Sequence, residues 1–95
     1  VREIYGNSLY ITAQKKQLAR LASVAHWLDK AGAELAQYRI HVPNIRVEHI
    51  EEADRLVERV QDCLTEVHSC ISQNATNLFE AEELQVKLMN MQELT

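Results

Sequence analysis

Six side chains in this sequence could carry metal or nucleophilic chemistry: His26, His41, His49, His68, Cys63 and Cys70. A dinuclear carboxylate site in a helical bundle needs a Glu three residues before a His on facing helices. The residues at that offset are Ser23, Tyr38, Arg46 and Thr65, and none of them is a ligand of that kind. Cys63, His68 and Cys70 share no step of three or four, while zinc asks for four close ligands. His68 and Cys70 lie two apart and point to different sides of a helix, which also removes a Cys–His nucleophile pair. No general acid and base face each other, and there is no phosphate-cradling loop or oxyanion-hole turn. The sequence therefore predicts no catalytic residue, no metal, no cofactor and no enzyme.

Asn74-Ala75-Thr76 fits the N-glycosylation acceptor pattern. No secretory signal opens the chain, and Asn and Thr here serve equally well as helix caps, which is the reading preferred. Cys63 and Cys70 stand about 10 Å apart along one helix, too far for an intrahelical bridge. Two thiols make no disulfide scaffold, so a reducing, cytoplasmic setting is expected.

Ninety-five residues, 46% apolar and 25% charged, suit one small domain, neither disordered nor membrane-spanning. The chain opens at Val1, so it is expected to be a single domain, residues 1–95, excised from a longer protein. Two glycines and one proline are too few for the turns of an all-β or glycine-rich nucleotide-binding fold. Net charge is −4, which gives no reason to bind nucleic acid or anionic lipid. The charge is unevenly spread. Residues 1–44 carry six bases and three acids, and residues 45–95 carry four bases and eleven acids, so an internal match between segments is expected. No apolar run approaches a membrane span of about 20 residues.

The elements that position these residues are helices. His41-Val42-Pro43-Asn44 is a strong break, because proline expels its predecessor from the α region and Asn44 can cap the helix after it. Residues 72–77 read as a weaker break, with Asn77 and Glu80 at capping-box spacing. Without glycine or proline there, a helix running from about 45 to 94 is the alternative. In the second segment Ile50, Ala53, Val57, Val60, Leu64, Val67 and Ile71 advance in steps of 3 and 4, an a/d heptad. Leu56, Cys63 and Cys70 add a third row at g, wide enough for a helix with two neighbours. The first segment steps through Leu21, Val24, Leu28, Ala31, Leu35 and Tyr38, with Leu18 and Ala25 alongside. Leu78, Ala81, Leu84, Leu88, Met91 and Leu94 form the third stripe. The fold class predicted is all-α, an antiparallel three-helix bundle with helices two and three continuous as the variant. Leu21, Val24, Leu28, Leu35, Val57, Val60, Leu64 and Val67 are expected to be buried, with Trp27 filling the centre.

The stretch Leu21 to Leu35, with Trp27-Leu28 at its middle, resembles the first helix of a spectrin repeat. The order of long helix, loop and acidic heptad helix is similar too. The resemblance covers about residues 15–71. It departs from the family in a third helix of only about 18 residues with no second Trp. The resemblance implies a modular spacer or scaffold of a cytoskeletal or signalling protein, and no catalytic residues.

The expected function is a non-catalytic protein-interaction and spacer module. The alternative is a coiled-coil oligomerisation module pairing with a second chain, a homodimer included. A short third helix would leave Leu56, Cys63 and Cys70 partly bare, and with Tyr38 these are the candidate partner-binding residues. The partners expected are proteins presenting helices, with no nucleic acid and no membrane insertion.

Overall fold

The computed structural model describes residues 2–41 and 46–94 of the chain. It is all-helical, with two helices: α1, Arg2–His41, and α2, Val47–Leu94. Three helices were expected, and two are found among the described residues. Residues 72–77 lie inside α2. The expected break at Pro43, and the cap at Asn44, lie outside the described residues. At the start of α2 the Arg46 carbonyl accepts from the amides of His49 (3.0 Å) and Ile50 (3.1 Å), and Glu48 supplies first-turn negative charge.

The polar stretch 72–77 stays helical because its side chains find partners without leaving the helix. Thr76 Oγ1 donates to the Ser72 carbonyl at 3.1 Å, Gln73 Nε2 donates to Asn77 Oδ1 at 3.1 Å, and Asn74 reaches across to α1. With no glycine or proline between 47 and 94, nothing forces a break.

The chain divides into two compact units, Val1–Leu21 with Cys70–Thr95, and Ala22–Ser69. In the first unit the half-buried positions of α1 are Ile4, Asn7, Ile11, Gln14, Leu18 and Leu21, a strict heptad. On α2 the matching positions are Ile71, Leu78, Gln85 and Leu88, half-buried, and Asn74 and Ala81, buried, with half-buried Asn77 beside them. The stretches run antiparallel, Asn7 meeting Ala81 and Gln85 while Gln14 meets Asn74. Gln85 and Asn74 thus occupy seam positions. Leu84 and Met91, which the sequence placed on the third stripe, are exposed instead.

In the second unit the α1 seam is Ala25, Leu28, Gly32 and Leu35, with Ala31 half-buried beside it. It faces the stripe expected on α2, Ile50, Ala53, Val57, Val60, Leu64 and Val67. Here the α1 reading needs correction, since Val24 and Tyr38 point to solvent while Ala25 and Gly32 point inward. The physical reason is fit. A Cβ added to Gly32 would lie 3.5 Å from Val60 Cγ1, in ordinary contact, so the helices approach closely on the Ala25–Gly32 row.

Among the described residues the buried hydrophobic ones are all alanines, Ala25, Ala53 and Ala81, and no large side chain is fully buried. A helix with one neighbour covers a small seam residue completely but leaves the outer part of a leucine or valine open to water. Trp27 shows the same effect most clearly. Expected at the centre, it is 63% exposed, because neither of the two described helices covers it.

Candidate helix-docking face

Two of the residues singled out for partner binding come together in the second unit. Tyr38 near the end of α1 and Leu56 near the start of α2 line one hollow of about 280 Å³, with Leu35, His49, Glu52 and Ala53. Ala53 is buried and forms apolar wall, while Tyr38 and Leu56 are each about half exposed. Leu56 also borders a second hollow of about 300 Å³ with Glu52, Arg55 and Arg59, all on α2. It therefore stands as an apolar ridge between two depressions, flanked by charge.

Heptad position explains the meeting of these two side chains. With Ala25 and Gly32 at a, Val24, Ala31 and Tyr38 fall at g of α1, as Leu56 and Cys63 do on α2. In an antiparallel pair the two g rows border the same edge of the seam. Val24 and Tyr38, which the sequence placed on the α1 core stripe with Leu21, Leu28 and Leu35, thus lie on an exposed apolar edge beside the seam. Cys63 is exposed on this row. Cys70 is exposed as well, and belongs to the other unit.

Trp27 flanks the same row of α1. The Lys30 ammonium lies 5.2 Å from its ring centroid and His26 meets it edge-on, with centroids 6.4 Å apart and planes at 69°. Such a cation–π contact at an exposed site is worth about 0.5–1 kcal/mol. A further hollow of about 250 Å³ opens between α1 and α2 at Gly32, Ala36, Val60 and Gln61, where the glycine leaves room.

The polar side chains of the first unit form two cross-helix layers that the sequence reading passed over. Asn74, 7% exposed, donates to the Gln14 carbonyl at 3.2 Å and to the Gln14 side-chain oxygen. This removes the cap reading of Asn74, and it also closes off the only acceptor nitrogen of the Asn74-Ala75-Thr76 tripeptide. A signal was present, because the 3/4 step from Ile71 runs unbroken through Asn74, Leu78, Ala81, Gln85 and Leu88 once polar residues are admitted.

Among the described residues no group of three or more His, Cys, Asp or Glu side chains is placed to hold a metal ion. No described helix is long and apolar enough to cross a membrane. Comparison with known protein families, with curated proteins and with solved structures finds no match to this chain.

Proposed function

We propose that the chain is a non-catalytic protein-interaction and spacer module that takes up a further helix along the exposed edge of its second unit. The observation carrying this reading is the convergence of Tyr38 and Leu56 on one hollow with an alanine wall. A second helix could seat its apolar knobs there, as a/d residues seat between the side chains of a facing helix. Aromatic and aliphatic anchors in such hollows supply most of the affinity of helical interfaces. Val24 and Trp27 extend the apolar row on α1, and Cys63 extends it on α2. The exposure of Val24, Trp27, Tyr38 and Leu56 supports the same reading, since it is apolar area that a further helix would cover. The spectrin-repeat resemblance of residues 15–71 adds the scaffold role. Two exposed thiols suit a reducing, cytoplasmic setting.

A designed amphipathic peptide with leucine at every a and d position, carrying a fluorescent label, tests the reading. Its anisotropy should rise on titration with the chain and should not rise with Leu56→Glu of equal helix content. A scrambled peptide of the same composition serves as control. Equal binding to wild type and Leu56→Glu would refute the assignment of the face.

A further inference from the structure

The charges beside Leu56 are arranged so that the face complements itself. On α2, Arg55 and Arg59 are followed one and two turns later by Asp62 and Glu66, all four within one narrow strip of the helix surface at f and c positions. Leu56 and Cys63 form the adjoining apolar strip, half exposed and exposed respectively. All four charged side chains are exposed. From this pattern we infer that the occupant of the face is a second copy of the chain, with α2 laid antiparallel on α2 about a twofold axis near Val60. This rests on the proposed function and names its partner.

In that arrangement Arg55 meets Glu66 of the second copy, Arg59 meets Asp62 of the second copy, and Leu56 packs on Cys63 of the second copy. The twofold axis repeats each contact, which is the isologous form that closes a dimer. In an antiparallel pair the charged strips meet along one edge and the apolar strips along the other, so all these contacts are made together. The register is also selected. Slipping one helix by about two turns brings Arg55 against Arg59 and Glu52 against Asp62, like against like.

The test is sedimentation equilibrium on the whole chain in three forms: wild type, Arg55→Glu with Arg59→Glu, and Asp62→Arg with Glu66→Arg. Each double variant presents one sign of charge to itself, yet the two together restore opposite signs at every contact. The wild type should sediment at twice the chain mass, each double variant alone at the chain mass, and their equimolar mixture again at twice. Circular dichroism shows that the variants keep their helix content, and recovery in the mixture excludes misfolding as the cause of dissociation. A wild type monomeric at high concentration that still binds the leucine peptide overturns the self-pairing alone. A monomer that also ignores the peptide overturns both readings. Double variants that dimerise as the wild type does overturn the charge-selected register.

Discussion

Asn7 and Gln85 hold the helices of the first unit together reciprocally. The Asn7 amide donates to Gln85 Oε1 at 2.9 Å and to the Ala81 carbonyl at 2.8 Å, while Gln85 Nε2 donates to the Ile4 carbonyl at 3.3 Å. Each amide thus reaches the backbone of the opposite helix. Among the described residues no buried side-chain nitrogen or oxygen lacks a partner. Polar residues at seam positions weaken a coiled coil but specify its register, because a slipped pairing leaves amides unsatisfied in an apolar seam.

The Asn74–Gln14 layer should show this trade. Asn74→Ala leaves a hole and strips Gln14 of its partner, and should lower the unfolding free energy by about 1–3 kcal/mol. Asn74→Leu combined with Gln14→Leu removes both partners and should be neutral or stabilising, with loss of a single register. Urea denaturation measures the first effect, and the count of amide resonances in NMR spectra reads the second. One sharp set of resonances from the double variant would argue against a register role.

Gly32→Ala should stabilise the chain. The new methyl would sit in ordinary contact with Val60, and replacing glycine inside a helix gains about 1 kcal/mol. Gly6→Ala, where nothing lies within 4 Å, should gain a similar amount from propensity alone. A lower denaturation midpoint for Gly32→Ala would mean that the seam is closed more tightly there.

Leu64→Ala should cost about 1–2 kcal/mol, below the 2–5 kcal/mol of a fully buried leucine, because Leu64 is half-buried in a seam with one neighbour. Thermal or urea unfolding measures it. A loss above that range would indicate that a further helix covers the site in solution.

Both thiols should react with Ellman's reagent without denaturant, two per chain, since Cys63 and Cys70 are exposed. Dilute conditions, where any self-association is minimal, are required. One thiol per chain under those conditions would contradict the exposure of one of them.

Trp27 emission in dilute protein should lie close to that of a solvated indole, with efficient acrylamide quenching. Lys30→Gln should cost no more than about 1 kcal/mol, as the ammonium is solvated. Blue-shifted emission in the monomer would place the ring under cover that two helices do not supply.

By itself the sequence determined that the chain is helical, that the stripe from Ile50 to Val67 faces a partner, and that Leu56 and Tyr38 are candidates for docking. Apolar spacing of 3 and 4 dictates which side chains share one side of a helix, and that is a local property of the chain. What tertiary structure decided was which part of a wide apolar stripe becomes seam. On α1 the rows Val24–Tyr38 and Ala25–Gly32 border the same leucines, and hydrophobicity favours the first. The second lies in the seam, where Gly32 stands within ordinary contact range of Val60. The number of helices was decided in the same way. Asn74 and Gln85 look like helix ends or surface residues until the opposite helix supplies Gln14 and Asn7. An amide's preference between solvent, cap and seam depends on a partner some 60 or more residues away, and local spacing carries no record of it.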